Sequence, residues 1–401
     1  MRLAEGRSRH AREGDAEVSA AAVDRPKDDT WMSPLFAETT IALAVPETVL
    51  TPLCAHLLDH DAQIHRDPDQ TVIRLGQGLA RLRVARGTLA VTVEAPDLAS
   101  LRELKRAIAS HVVEFVPAGE RPNIVWSGDG SAPSLPPDFR LLTVIGVEQL
   151  SPHLKRIRFS GEDLARYASL EALHVRLFLP TDGTAEPVWP TLGADGLLHP
   201  VPPEQRPAIR KYTIRQIAPA AGTLAIDFVL HDDAGPGSAF AARACAGDRI
   251  GMAGPGGRGL KAAGRYLFIC DETGLPAAAR MLENLAGTAQ GIALIEVADA
   301  REELPLAAPA GVAVRWLHRD ARSPGAPSPL LEAFDALAWD ADGPDLYLWS
   351  ATEHEVFRQI RSAAKERLRA GQDQQLIVSY WRAGLSEDQH AAEKRAAARA
   401  A

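Results

Sequence analysis

The pattern of predicted strands and helices changes once along this chain, near residue 263, and this change constrains the fold most. Between residues 139 and 262, short strand-like segments follow one another with turn residues between them and no long helix. The predicted strands are 141–147, 154–159, 173–179, 211–215, 223–231 and 248–253. Consecutive short strands without helices predict an antiparallel barrel or sandwich.

After residue 263, strands alternate with helices. The apolar strand-like runs are 266–270, 292–297, 312–317, 346–349 and 375–381, and the helical segments between them are 275–285, 330–337 and 353–369. This alternation predicts a parallel, doubly wound sheet, which binds nucleotides at the carboxyl ends of its strands. The sequence therefore predicts a multidomain protein, with a barrel at 139–262 and an α/β domain at 263–385.

Four further segments flank these two domains. Residues 1–33 are polar and charged and are expected to form a disordered tail. Residues 34–118 combine strand-like and helical patterns and predict a small α+β domain, and 119–138 is a linker by its proline and glycine content. The charged, alanine-rich segment 386–401 is expected to be a C-terminal helix or tail.

Histidines in the small domain raise the question of a metal site. His56 and His60 are four residues apart on a predicted helix, so both imidazoles could lie on one face. His111 lies on the other predicted helix of this domain. The sequence identifies no third ligand for the pair, and the favoured interpretation is a solvated or partly buried helix face without metal.

Composition excludes several classes of protein. The formal net charge is -8, which disfavours binding to nucleic acid. The three cysteines, Cys54, Cys245 and Cys270, are too few and too widely spaced for a four-cysteine zinc or iron–sulfur site. No apolar stretch is long enough to span a membrane and no secretory signal is recognised, so a cytoplasmic location is expected.

Residues 210–215 carry the first candidate binding motif. Arg210 offers a fork for a pyrophosphate, Tyr212 offers a ring for a flavin or ribityl chain, and Thr213 could hydrogen-bond a redox-active ring nitrogen. The alternative is an ordinary barrel strand with exposed basic residues.

Two turns carry the other candidate motifs. His231 precedes a glycine-rich turn, Gly235 to Gly237, which opens a helix and is followed by the hydroxyl of Ser238. Backbone N–H groups at a helix start suit a phosphate, although most such turns are only turns.

The second turn follows an apolar strand and opens a helix. It contains Asp271, Thr273, Gly274 and Pro276, and it occupies the position where a nucleotide pyrophosphate docks on a parallel sheet. The turn lacks the full glycine fingerprint of dinucleotide-binding proteins, and its acidic residues would repel a phosphate if they pointed inward.

Together these motifs resemble the siderophore-interacting protein family, FAD-containing ferric-siderophore reductases of the ferredoxin-reductase-like superfamily. The matching stretches, in family order, are 210–215, 231–238, 247–251, 254–257, 271–277, 349–353 and 380–384. Cys270 and Gly274 stand where the family often has glycine and alanine. The small domain at 34–118 resembles the DUF2218 type, which accompanies some of these proteins.

The resemblance implies a barrel that binds FAD and an α/β domain that binds NADPH or NADH. It adds Ser350, Glu353 and Trp381 to the cofactor-binding residues named above. It implies hydride transfer from the nicotinamide to the flavin and single electrons from the flavin to a ferric siderophore, which releases Fe(II). This flavin chemistry requires no catalytic acid–base pair.

Substrate contacts and nucleotide choice rest on charged residues. Arg176, Arg258 and Lys261 are candidate contacts for an anionic ferric chelate. After two α/β strands, an acidic residue would favour NADH and basic residues would favour NADPH, with a slight preference for NADPH. The residues concerned are Asp299, Arg301, His318 and Arg319. Two alternatives stay open: a general NAD(P)H–flavin reductase with a protein acceptor, and a flavin-free siderophore-binding carrier.

Overall fold

The computed structural model describes residues 34–180, 187–231, 235–319, 328–337, 345–367 and 374–400. The predicted tail, 1–33, lies outside the described residues. The chain folds into two compact units. Described residues up to Pro133, with Leu192–Leu197, form the first, and Ser134–Thr191 and the residues from Leu198 onward form the second.

The first unit is a six-stranded antiparallel sheet covered by two helices, with strand order β2-β3-β4-β5-β1-β6. Its elements are β1 (Leu35–Ala42), α1 (Pro46–Leu58), β2 (Gln63–Arg66), β3 (Thr71–Leu75), β4 (Gly78–Ala85), β5 (Thr88–Ala95), α2 (Leu98–Phe115) and β6 (Ser127–Gly128). The Asp97 side chain caps α2 by accepting a 2.8 Å hydrogen bond from the Ser100 N–H. Helix α2 buries Leu104, Ile108 and Val112 against the sheet, so the predicted α+β domain is confirmed.

Part of the predicted linker packs into this first unit. Ile124 and Trp126 are buried in its core, and β6 pairs with β1. The Trp126 indole N–H donates to the Asp195 carbonyl at 3.0 Å. The unit therefore extends beyond residue 118, because burial of these apolar side chains outweighs the linker-like composition around them.

The second unit begins with a closed six-stranded antiparallel barrel, in the order β12-β13-β8-β7-β14-β9, which confirms the barrel prediction. The barrel strands are β7 (Phe139–Ser151), β8 (Leu154–Gly161), β9 (His174–Leu179), β12 (Ala208–Ala218), β13 (Thr223–Val229) and β14 (Arg249–Gly256). Two short strands, β10 (Thr191–Leu192) and β11 (Leu198–His199), form a separate ribbon, and α3 (Pro236–Arg243) follows β13.

A five-stranded parallel sheet follows, in the order β17-β16-β15-β18-β19, as predicted. Its elements are β15 (Arg265–Cys270), α4 (Leu275–Leu282), β16 (Gln290–Val297), β17 (Val312–His318), α5 (Pro329–Asp335), β18 (Leu346–Glu353), α6 (His354–Arg367) and β19 (Gln375–Trp381). The strand order reverses between β15 and β18. In open α/β sheets this reversal creates the crevice where ligands bind.

Helix α4 joins the parallel sheet to the barrel. The buried Arg280 guanidinium donates to the carbonyl of Ile214 at 2.9 Å, and to three successive carbonyls beginning at Tyr167. Arg215 on the barrel pairs with Glu283, which follows α4. These contacts hold β12 against α4.

The C-terminal segment packs as a helix, α7 (Glu387–Ala400). His390 is buried and lies 3.1 Å from the Ser379 hydroxyl, and the Lys394 ammonium donates to the Ser379 carbonyl. The predicted helix is therefore anchored to β19 by polar contacts, despite its weak apolar face. Among the helices in the described part of the chain, none is both long and apolar enough to cross a bilayer.

Candidate functional site

The candidate site comprises barrel strand β12 and the carboxyl ends of β15, β18 and β19. Strand β12 contacts α4 and α7, and His174 of the neighbouring strand β9 contacts Tyr380 of β19. Arg210 lies on β12 with little exposure, and its guanidinium donates to the Asp388 carboxylate at 3.2 Å. A second carboxylate, Glu387, lies 3.7 Å from Arg210 Nε and accepts the Lys211 N–H. The predicted pyrophosphate-binding guanidinium is thus bound by two acidic residues of α7.

Tyr212 connects two of the predicted motifs. Its ring centroid lies 4.4 Å from that of Phe228, and burial raises the pKa of its phenol well above the usual value. Its hydroxyl lies so close to Gly237 that a Cβ there would approach it to 2.0 Å. The turn therefore requires glycine at residue 237, since a side chain would displace Tyr212.

The glycine-rich turn closes on itself. The Ser238 hydroxyl accepts the His231 N–H at 3.0 Å, so this hydroxyl stabilises the loop ends. Gly235 precedes α3, and a Cβ built there meets no atom within 4 Å among the described residues. Residues 232–234 lie outside the described residues.

Asp271 organises the carboxyl ends of three parallel strands. One carboxylate oxygen accepts the Thr273 N–H at 2.9 Å and the Gly274 N–H at 3.4 Å. The other accepts the Glu353 N–H at 3.0 Å and the Trp381 indole N–H at 2.9 Å. The carboxylate therefore connects the ends of β15, β18 and β19, and it occupies two N–H groups of the turn where a nucleotide pyrophosphate was predicted to dock.

The environment of Asp271 alters its titration. Burial, together with the neighbouring Glu272 carboxylate, raises the pKa of Asp271 to about 6. The Glu272 side chain itself pairs with Arg319 at 2.6 Å. Glu272 is therefore paired with a cation, whereas Asp271 is hydrogen-bonded only to neutral donors.

Two neighbouring positions show why this turn has its sequence. A Cβ at Gly274 would lie 2.8 Å from the Ala351 carbonyl, so glycine allows α4 to begin against β18. Pro276 lies in the first turn of α4, where its missing N–H costs no hydrogen bond.

The remaining predicted cofactor residues lie in different surroundings. Trp381 exposes 39% of its surface beside the Asp271 cluster. The Glu353 carboxylate accepts the N–H of Glu355 at 2.5 Å and of Ala383 at 3.1 Å, so it holds the loop after β19. Ser350 is fully buried, and its hydroxyl has no partner among the described residues.

Sequence reasoning missed a histidine–tyrosine pair at the junction. His174 Nε2 lies 2.5 Å from the Tyr380 hydroxyl, and His174 is the register partner of Thr213 on β12. Burial, with Lys211 as a nearby charge, lowers the pKa of His174 to about 4, and burial raises that of Tyr380. Both side chains are therefore neutral at pH 7. No local pattern marks His174, because only the register of β9 on β12 brings it to Thr213.

Comparison with known proteins identifies these domains. The sequence model of the siderophore-interacting FAD-binding domain matches residues 143–259, and that of the siderophore-interacting protein matches 263–384. Residues 38–127 match DUF2218, an uncharacterized protein conserved in bacteria. A siderophore utilization protein from T. fusca is 38% identical, with a TM-score of 0.56, over 63% of this chain and 96% of that one. The chain belongs to the siderophore-interacting protein family.

Two further relatives agree with this family. The siderophore-interacting protein SipS from Aeromonas hydrophila is 33% identical, with a TM-score of 0.56, over 65% of this chain and 98% of that one. An Escherichia coli protein named NADPH-dependent ferric-chelate reductase is 34% identical over 61% of this chain and 93% of its own length. Family membership makes the chain an oxidoreductase with an FAD-binding domain.

The donor set beside β12 fits the diphosphate of FAD in this siderophore-interacting protein. Arg210 supplies a cationic fork, and the first N–H groups of α3 have no acceptor within that helix. Among the described residues, no atom comes within 4 Å of a Cβ built at Gly235, beside these donors. Thr213 and Tyr212 lie on the same strand, and their assignment to the flavin stays a prediction.

The predicted nucleotide-selecting cations are all paired with carboxylates. Arg301 binds Asp299, lowering the pKa of that carboxyl to about 2, and His318 Nε2 lies 2.8 Å from Glu303. Arg319 binds Glu272 and also lies 3.2 Å from Glu296. These pairings weaken the argument that these residues select a 2′-phosphate.

The predicted substrate contacts lie on β9 and after β14. Arg176 is exposed, with a guanidinium nitrogen 3.7 Å from Asp138. Arg258 and Lys261 are exposed in the segment that follows Gly257. A Cβ at Gly257 would lie 2.8 Å from His174 Nδ1, so this segment starts beside the histidine–tyrosine pair. Their contact with a chelate stays a prediction.

Proposed function

We propose that this protein uses FAD to reduce ferric siderophores with a nicotinamide nucleotide and thereby releases Fe(II). One observation supports this proposal most directly: an FAD-binding barrel and a parallel sheet belong to the same compact unit, and the barrel contacts the carboxyl edge of the sheet. FAD, when bound, accepts an electron pair and passes on single electrons. The protein's own contribution is to bind the cofactor, to orient it and to shield it from solvent.

The binding residues divide this work along β12. Arg210 and the start of α3 would hold the diphosphate of FAD, because both present hydrogen-bond donors to an anion. Thr213 and Tyr212 of the same strand would contact the flavin ring system. Arg280 of α4 donates to the carbonyl of Ile214 and so bonds this strand to α4.

The histidine–tyrosine pair keeps the junction neutral. Because burial lowers the pKa of His174 to about 4 and raises that of Tyr380, neither group carries charge at pH 7. A neutral, half-buried hydrogen-bonded pair imposes no net charge on the adjacent site. Trp381 supplies an exposed aromatic surface next to it.

The substrate assignment follows from chemistry and family. Relatives include a protein named for ferric-chelate reduction, which supports a ferric siderophore as the acceptor. Oxygen chelators hold Fe(II) more weakly than Fe(III), so reduction favours release of the metal. Because the chain carries a formal net charge of -8, an anionic chelate requires local cations, for which Arg176, Arg258 and Lys261 are the candidates. The relative's name supports NADPH as the donor, and NADH stays an alternative.

A two-stage anaerobic assay on the full chain tests the proposal. The purified protein should show a flavin spectrum, which bleaches when NADPH or NADH is added. A ferric siderophore should then restore the oxidised spectrum while a colorimetric Fe(II) chelator reports the product. A protein that cannot be loaded with FAD would support the carrier alternative. A flavin that is reduced by nucleotide but not reoxidised by any of several ferric siderophores would support a different acceptor.

A further inference from the structure

Three histidines meet on the first unit, whereas the residues assigned to FAD belong to the second unit. His56 lies on α1, His60 lies in the turn after it, and His111 lies on α2. Sequence analysis recognised the first two as a pair and found no third ligand. The packing of α1 on α2 supplies it, since one ligand atom from each of the three lies within 4.8 Å of the others.

The distances between these imidazoles approach those of a metal site. His56 Nε2 and His60 Nε2 are 3.1 Å apart. Two nitrogens bound at about 2.0–2.1 Å to one tetrahedral ion are roughly 3.4 Å apart. The pair already fits this spacing, and the widest separation needs to close by only about 1.5 Å. Rotation of partly exposed rings can provide this.

The protonation of His111 favours a ligand role. Its Nδ1 lies 2.6 Å from the Ala107 carbonyl oxygen, which can only accept a hydrogen bond. Nδ1 therefore carries the proton, and in the neutral ring Nε2 presents a lone pair. A backbone carbonyl that fixes the tautomer and orientation of an imidazole is the usual outer support of a metal-bound histidine.

The packing of the unit does not explain the cluster. The apolar faces of both helices point to the core through residues such as Leu53, Leu57 and Ile108, whereas the three imidazoles are exposed or half-buried. Phe115 flanks two of the rings, with centroids 5.9 Å from His56 and 6.3 Å from His111. Among the described residues, no carboxylate forms an ion pair with any of the three.

We propose that His56, His60 and His111 bind one divalent first-row transition-metal ion. Three nitrogen ligands leave at least one coordination position for water or another ligand, unlike the closed four-ligand sites that serve only structure. Imidazole without thiolate suits Zn²⁺, Co²⁺, Ni²⁺ and Fe²⁺. Fe²⁺ is the product of the reaction proposed above, but the site stands independently of that reaction.

Titration of the metal-stripped full chain with Co²⁺ tests the site. Visible d–d absorption should rise to one equivalent of Co²⁺ and disappear on addition of Zn²⁺. His60→Ala changes an exposed side chain beyond the end of α1, and His111→Gln keeps a polar side chain on α2. Each should weaken Co²⁺ binding at least about 10-fold, because loss of even an outer support costs 10- to 100-fold in metal affinity.

A matched control is available in the same unit. His65 lies on β2 and pairs with Asp67 at 2.8 Å, outside the cluster, so His65→Ala should leave Co²⁺ affinity unchanged. Zn²⁺ should also raise the melting temperature of the wild type but not of the triple variant His56→Ala/His60→Ala/His111→Ala. One-equivalent binding that persists in the triple variant, or a wild type that does not bind Co²⁺ at micromolar concentration, would overturn the proposal. FAD content measured in parallel reports the second unit separately.

Discussion

Replacing the two α7 carboxylates that bind Arg210 should tighten FAD binding. A diphosphate at Arg210 must displace Asp388 and Glu387, because all three anions use the same guanidinium. In Glu387→Gln/Asp388→Asn this competition is removed, while the hydrogen-bonding shape of both side chains is nearly kept.

The expected change in FAD affinity follows from how exposed Arg210 and its two carboxylate partners are. The Arg210 side chain is 12% exposed, whereas Asp388 is 77% exposed and Glu387 is 34% exposed. An ion pair with an exposed partner contributes about 0.2–1 kcal/mol. Two such pairs give about 0.5–2 kcal/mol, so the Kd for FAD should fall roughly 2- to 30-fold.

Equilibrium titration of flavin-free protein with FAD, followed by flavin fluorescence, measures this change. Glu393→Gln is the matched control, because Glu393 lies on the same helix but pairs with Arg382. Arg210→Ala alone should weaken binding by about 1.5–3 kcal/mol, or roughly 10- to 150-fold.

The double-mutant cycle decides the reasoning. In the Arg210→Ala background, the two carboxylate substitutions should no longer tighten FAD binding, since the guanidinium for which they compete is absent. Weaker FAD binding in Glu387→Gln/Asp388→Asn would refute the competition, because it would mean that α7 supports the cofactor. FAD binding that tightens equally with and without Arg210, or that also tightens in Glu393→Gln, would mean that the carboxylates act only by general charge repulsion.

Three further predictions follow from the same structure. A chain that starts at Ser134 should retain FAD, because the residues assigned to the cofactor lie in the second unit; loss of flavin from a folded truncation would contradict this. Arg258→Glu or Lys261→Glu should raise the KM for an anionic ferric chelate several-fold at low salt, without altering flavin reduction by nucleotide. A ferric half-reaction indifferent to salt and to both substitutions would exclude this docking surface. Because burial raises the pKa of Asp271 to about 6 from 3.8, the folded state binds this proton more tightly, and its contribution to stability falls as pH rises between these values, by up to about 1.4 kcal/mol per pH unit. Asp271→Asn should therefore gain stability relative to wild type across that interval in urea titrations, and a constant difference would argue against a raised pKa.

Local sequence patterns were sufficient to predict the architecture. Six short strands without long helices predicted an antiparallel barrel or sandwich, and alternating strands and helices predicted the parallel sheet; a closed barrel and the parallel sheet are present. Hydrophobic periodicity depends on residues that are close in sequence, so it can be recognised without knowledge of the fold. The motif on β12 could be recognised for the same reason, since Arg210, Tyr212 and Thr213 are almost consecutive.

The partners of those motif residues could not be predicted in this way. The pairing of Arg210 with Asp388 joins residues 178 positions apart, and His174 meets Tyr380 across 206. The cations expected to select NADPH are likewise paired with carboxylates, as Arg319 is with Glu272. Composition showed that these charges exist but not which opposite charge each one meets.

Sequence by itself thus determined which elements form and which of them carry cofactor motifs, because helix and strand periods and turn residues act over a few positions. Tertiary structure alone decided which side chains come together. His111 lies beside His56 and His60, Asp271 accepts a hydrogen bond from Trp381, and Arg210 pairs with Asp388 of α7. The physical reason is that such contacts depend on strand register and helix packing, which are set by burial over the whole chain and leave no periodic trace at the residues concerned.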